Sequence, residues 1–378
     1  MRADRPLRRR APMRLLALAL ALAASACGGP EPGSDAPGLR VGDVLGSGPE
    51  GVEFAHANTP RAFEFPADHG AHPEYRSEWW YLTLALEGDG GREFGVQFTV
   101  FRQALFPGGA ADDPWRNGQA YLGHLAVTDV GAGRHREAER LSRGHPALAG
   151  VRAGNESGFA VWLEGWRLSG DGDNWTLEAA AGDFAVSLQL APTRPIVLQG
   201  DAGLSAKGPG EASYYYSVPR LQASGSLRLD ETAHAVRGLG WLDREWSTSV
   251  LGPHQVGWDW FALMLDNGED IMAFRLRRDD GARDPYDHGV LVDASGRARH
   301  LGPGDFSLEP LEYWRDERGT RWPVRWRLAV GERRWLVAAP VLNQRMDTLL
   351  TYWEGLVHVL DETGHRSGRG YMELTGYR

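Results

Sequence analysis

The sequence of 378 residues is 42% hydrophobic, carries a formal net charge of −9 and contains one cysteine, Cys27. A single cysteine excludes an internal disulfide, and the acidic balance argues against nucleic acid as a partner. The length is ample for two hydrophobic cores rather than one.

Residues 1–26 read as an address rather than as part of the fold. Six arginines in Met1–Arg14 precede Leu15–Ala26, a run that is apolar except for one serine. Such a run is short for a bilayer span but suits the core of a signal peptide. Ala24-Ser25-Ala26-Cys27 resembles a bacterial lipobox, in which Cys27 is lipidated and becomes the mature N-terminus. Gly28 follows, not aspartate, so the expectation is an outer-membrane lipoprotein facing the periplasm. Arg8-Arg9-Arg10 leaves open whether export is Sec or twin-arginine. Without residues 1–26 the remainder carries −14. Residues 27–58, rich in Gly, Pro and Ser, read as a flexible tether.

From there the sequence alternates with period two. Trp80, Leu82, Leu84 and Leu86 run out, Gly88–Gly91 turns the chain, and Phe94, Val96, Phe98 and Val100 run back. Phe184–Leu190 repeats the pattern, as do Trp322–Val330 and Trp335–Ala339 across Gly331-Glu332. No long helical periodicity occurs, so the expected class is all-β. Two hairpins look like copies. Trp79–Glu87 lines up with Trp258–Asp266, the second turning at Asn267-Gly268, and the return strands end in Phe101-Arg102 and Phe274-Arg275. The expectation is two barrels in tandem, over residues 59–247 and 248–378.

Gly238–Phe261 joins the two halves. In an extended strand Trp241, Asp243 and Glu245 share one face, which puts the two carboxylates about 6–7 Å apart. Beside aromatic walls at least one pKa of such a pair should rise, leaving an acid that keeps its proton near neutral pH.

Asp68–Tyr81, read DHGAHPEYRSEWWY, resembles the opening signature of the carotenoid 1,2-hydratase family, which includes the AttH-like proteins often labelled predicted secreted hydrolases. Gly240–Trp246 resembles its second signature, and the likeness extends over roughly residues 60–378. The resemblance implies tandem lipocalin-like β-barrels with an apolar ligand pocket. In some relatives it implies water addition to a carbon–carbon double bond or a cyclisation. Relatives frequently place histidine after the aspartate of the second signature. Here Arg244 stands there, and arginine is no proton donor at physiological pH.

The candidate catalytic acids are Asp259, Asp243 and Glu245. Asp259 shares a strand face with Phe261, Leu263 and Leu265, so it is a protonated general acid, paired with Arg244 or Arg275, or an outward-facing acid. A strand apolar on both sides leaves its phase open. Asp243 and Glu245 are an acid/base pair or salt-bridge partners. The candidate substrate-binding residues are Glu78, Trp80, Trp241, Trp246, Trp258, Trp260 and Tyr352. His69 and His72 resemble metal ligands but sit in a Gly/Pro loop without further ligands at zinc spacing, so no metal site is expected. No phosphate loop precedes a helix and no Gly-x-Ser-x-Gly elbow occurs, so neither a cofactor nor a serine nucleophile is expected. The leading reading is a lipid-anchored protein that binds an apolar, isoprenoid- or polyketide-like molecule and acts on its double bond with a carboxylic acid. The alternatives are a carrier without chemistry and a carbohydrate-active protein.

Overall fold

A computed structural model describes residues 53–378 except 108–114, 116, 155–157, 250, 253 and 378. The leader, Cys27 and most of the tether lie outside the described residues. The described chain is all-β, with short 3-10 turns at Ala67–His69 and Asp89–Gly91.

Its strands form two antiparallel sheets. The first comprises β1 (Ser77–Gly88), β2 (Glu93–Ala104), β3 (Gln119–Asp129), β4 (Arg134–Arg143), β5 (Ala149–Gly154), β6 (Gly158–Leu163), β7 (Trp166–Asp171), β8 (Asn174–Ala181), β9 (Phe184–Ala191), β10 (Val197–Leu198), β11 (Leu204–Gly208), β12 (Glu211–Leu229) and β13 (Thr232–Ser247). The second comprises β14 (Gln255–Leu265), β15 (Asp270–Arg278), β16 (His288–Val292), β17 (Ala298–Leu301), β18 (Phe306–Arg315), β19 (Arg321–Val330), β20 (Arg333–Ala338), β21 (Arg345–Met346), β22 (Tyr352–Leu360) and β23 (Arg366–Leu374).

The first sheet curls into a nearly closed barrel, with β2, β3 and β4 meeting β6 across the seam. In the second, Leu301 of β17 and Leu308 of β18 come from opposite ends of the strand order yet share one core. In each sheet the first strand lies between the second and the last: β1 between β2 and β13, β14 between β15 and β23. The two look-alike hairpins therefore occupy the same topological place. Cross-strand register moves their equivalence by two residues, because Trp79 faces Phe101 and Trp260, not Trp258, faces Phe274.

Period two divides each central strand between two environments. Trp80, Leu82 and Leu84 enter the first barrel core, and Phe261, Leu263 and Leu265 the second. The alternate residues Tyr81, Ala85, Trp260, Ala262 and Met264 form a third core where the barrels press together. Close approach needs Gly95: a Cβ there would lie 2.7 Å from the Tyr371 hydroxyl and 2.9 Å from Leu356 Cβ. A bulge in β12 between Val218 and Leu221 turns Arg220 outward, and its guanidinium grips Asp270 and the carbonyls of Leu265 and Glu269 in the second barrel.

Charged rungs sit inside both barrels at equivalent places. Glu78 faces Arg102 across the first hairpin, and Asp259 faces Arg275 across the second. Glu78 is fully buried, ion-paired to Arg102 and bonded at 2.7 Å to Arg244, whose guanidinium lies 3.7 Å from the Trp80 ring centroid. Burial alone would raise the Glu78 pKa, but the two guanidiniums outweigh it and hold the carboxyl well below its usual range. The His69/His72 loop closes over this end. His72 stacks on Trp246 at 3.7 Å and bridges Asp68 and Glu78, while His69 Nδ1 meets the Tyr216 hydroxyl at 2.6 Å.

Removing one partner of a buried ion cluster leaves an uncompensated charge. Glu78→Ala, which strands both Arg102 and Arg244, is expected to cost about 3–5 kcal/mol of unfolding free energy. Urea denaturation checks this, and a loss below about 1 kcal/mol, the scale of a surface pair, contradicts the buried-cluster account.

Candidate functional site

A cavity lies between the barrels, and both build it. Its free volume is about 50 Å³, and part of it is open at the mouth. The first barrel contributes Trp79 and Tyr81 from β1, Thr99 and Phe101 from β2, Lys207 from β11, Tyr215 from β12, and Asp243 and Glu245 from β13. The second contributes Trp258 and Trp260 from β14, Phe274 from β15, His288 from β16, Tyr352 from β22 and Glu373 from β23.

A shared rung underlies this wall. Trp79 lies opposite Phe101 on one side and Glu245 on the other. Trp260 lies opposite Phe274 and Glu373 in the same way. Each barrel thus presents an aromatic–aromatic–carboxyl trio to the cavity.

The predicted acids have different fates. Asp243 and Glu245 both line the cavity, as their shared strand face requires. Asp259 does not reach it, which corrects the expectation of a general acid there. Its carboxylate faces the interior of the second barrel, held by Arg275 Nε at 2.9 Å, Arg277 Nε at 3.3 Å and the Tyr377 hydroxyl at 2.8 Å. The arginine-paired alternative is the one realised, with Arg275 rather than Arg244.

Of the predicted substrate-binding residues, Trp258, Trp260 and Tyr352 line the cavity. Glu78, Trp80 and Trp246 do not, because their parity points them into the first barrel, where all three are buried. Trp241 is also buried and acts indirectly, its indole N–H donating to Asp243 Oδ1 at 2.7 Å. Sequence reasoning missed Glu373, Lys207, His288 and the walls Trp79, Tyr81, Phe101 and Phe274. A signal existed for Glu373, a lone acid in the otherwise apolar Tyr371–Leu374. None marked Lys207.

Asp243 is encircled by donors. Ser217 Oγ donates to Oδ1 at 2.5 Å and Tyr215 Oη to Oδ2 at 2.5 Å, besides the Trp241 indole. Burial nevertheless pushes its pKa up to about 7, with the nearby Glu245 charge adding to the rise against those three hydrogen bonds. Glu373 accepts from Trp258 Nε1 at 2.8 Å, and burial pushes it up to about 7 as well, with the charges of Asp243 and Glu245 adding to the rise. Behind it on the neighbouring strand lies Glu354, which takes the Tyr81 hydroxyl at 2.5 Å; burial raises its pKa too. Glu354 Oε2 has no hydrogen-bond partner among the described residues.

Lys207 pairs with Glu245. His288 is neutral: burial lowers it to about 4, its Nδ1–H donates to the Tyr286 carbonyl at 3.1 Å, and Nε2 accepts from Ser205 Oγ at 3.3 Å. Among the described residues no group of three or more His, Cys, Asp and Glu is placed to hold a metal ion.

Two curled sheets, each presenting an aromatic-and-acid rung to a cavity between them, define a tandem lipocalin-like protein whose site belongs to neither barrel alone. The chain belongs to the AttH-like family, whose model matches residues 56–377. It is similar to a solved structure from Nitrosomonas europaea assigned to AttH, with 36% identity and a TM-score of 0.76, over 86% of this chain and 100% of that one. It shares its fold with kievitone hydratase from Nectria haematococca, at 13% identity and a TM-score of 0.61, over 87% of this chain and 97% of that one. No curated protein matches the chain.

A carboxyl whose folded pKa is raised binds more protons in the folded state than in the unfolded one between the two values. For Asp243 that window runs from 3.8 up to about 7. Its contribution to stability is therefore fully present below pH 4 and is lost as pH rises toward 7. Asp243→Asn should flatten this part of the stability–pH profile in urea melts taken across the window. An unchanged slope would mean that Asp243 ionises freely in the fold.

Proposed function

We propose that this protein binds an apolar, unsaturated small molecule in the cavity between its barrels and adds water to, or removes it from, a carbon–carbon double bond by carboxylic acid catalysis. The observation that carries the reading is Asp243, a carboxyl raised to about 7 by burial in an aromatic cavity, with a second raised acid, Glu373, on the opposite barrel. Kievitone hydratase, by its name a hydratase, has the same fold, which makes the chemistry compatible with the architecture.

The hydrogen bonds suggest how the proton travels. While Asp243 is ionised, Tyr215 O–H donates to it. Once protonated, Asp243 donates to the Tyr215 oxygen instead and frees the phenolic O–H to point at the ligand. That proton passes to one alkene carbon as Asp243 restores it to Tyr215. Water adds to the other carbon and releases its spare proton to the Glu373 carboxylate. The alkene gains H and OH, and the proton lost by Asp243 is recovered by Glu373. Dehydration is the reverse. An enclosed aromatic cavity suits such a ligand better than it suits a sugar chain, which favours an open groove. Cys27 completes the reading as a lipid anchor in the bacterial cell envelope; a Cys27→Ser protein should leave the membrane fraction, and one that stays there contradicts the anchor.

The test is to incubate isoprenoid and polyketide-type alkenes with the protein in isotopically labelled water. Label should enter product with the parent, and Asp243→Asn should reduce kcat by about 10²–10⁴-fold with KM little changed. Compounds that quench tryptophan fluorescence while none takes up label would mark a carrier instead.

A further inference from the structure

The charges around the cavity do not balance. Three carboxyls line it, Asp243, Glu245 and Glu373, against one ammonium, Lys207, and the neutral His288. Fully ionised, the wall would carry −3 from the acids and +1 from lysine, hence −2. Glu354 stands behind Tyr81 on the same side. The rest of the wall is mostly aromatic, with eight rings among its residues. Negative ring faces together with carboxylates attract positive charge, above all charge that is spread out or sheathed in methyl groups and poorly held by water.

The cavity already holds one positive charge. Lys207 Nζ lies 5.5 Å from the Trp79 ring centroid and 5.7 Å from that of Phe274, between one ring of each barrel, and pairs with Glu245. Glu373, at the equivalent rung of the second barrel, has no ion-pair partner among the described residues; it receives the Trp258 indole N–H. The acid of the first barrel's half of the site thus has a lysine, while the acid of the second half has no counter-charge among the described residues.

We propose that the second half, bounded by Trp260, Phe274 and Glu373, is built to hold a positive centre on the ligand. This rests on the acid chemistry proposed above, since protonating an alkene carbon leaves its neighbour cationic. The ring faces and carboxylates then stabilise the charge where it develops.

The test needs no known substrate. Benzyltrimethylammonium mimics the positive centre, and neopentylbenzene has the same shape without the charge. Their affinities are measured by tryptophan fluorescence titration from pH 5 to pH 8.5. The groups that set the pH response are Asp243, with Glu245 and Tyr215 facing it, and Glu373, with Glu354, Tyr81 and Trp258 around it; Lys207, Tyr352 and His288 complete the wall. The ammonium should bind ~10-fold more tightly than the hydrocarbon at pH 8.5. The preference should shrink toward unity at pH 5, where Asp243 and Glu373 hold protons. Glu373→Gln should weaken the ammonium several-fold and leave the hydrocarbon unchanged. Equal or tighter binding of the hydrocarbon at pH 8.5, or a preference that Glu373→Gln does not touch, overturns the proposal. The wild-type comparison stands even if the variant fails to fold. Failure of the acid chemistry itself reads out separately, as label uptake that survives Asp243→Asn.

Discussion

Every central strand in this protein has to satisfy two apolar environments at once. β1, β2, β14 and β23 close their own barrels with one face and press against the other barrel with the opposite face. No face is left for water, so a polar side chain on these strands must be paired, hydrogen-bonded or neutral. The cavity lies within this contact, at the level of Trp79 and Trp260, where the barrels do not meet completely.

That constraint sorts the carboxyls into two kinds. Those facing barrel interiors have arginine partners: Glu78 with Arg102 and Arg244, Asp259 with Arg275. They close the charge locally and serve the fold. Those that line the cavity are short of cations, since among the described residues only Lys207 supplies one there and it pairs with Glu245. Burial then keeps protons on Asp243 and Glu373 that the same groups would lose in water. One sequence thus yields structural carboxylates and proton-holding acids from the same residue types, according to the face on which each lies.

The equivalent places of the two hairpins make the cavity two-sided. The rung Trp79–Phe101–Glu245 recurs as Trp260–Phe274–Glu373, yet its surroundings differ. Tyr215 flanks Glu245 where Glu354 flanks Glu373. One side became a donor-rich cradle for Asp243, the other a stacked pair of acids joined through Tyr81. A ligand between them meets different proton chemistry on its two faces.

The alternation of Trp80, Leu82 and Leu84, the Gly88–Gly91 turn and Asn267-Gly268 made the hairpins legible, because strand period and turn chemistry are local. The shared face of Asp243 and Glu245 was legible for the same reason. The grouping of Asp259 with Phe261 and Leu263 was also correct, but a strand apolar on both sides does not say which face is the barrel interior, and so Asp259 stood as a candidate acid. Glu373 and Lys207 escaped because they come from strands far apart in the chain. Sequence by itself determined the all-β class, the strands with clean alternation and which of their side chains share a face. Only tertiary structure decided which acids found an arginine and which found an aromatic cavity, because charge compensation depends on what barrel closure and barrel contact bring alongside, and neither is encoded within any one strand.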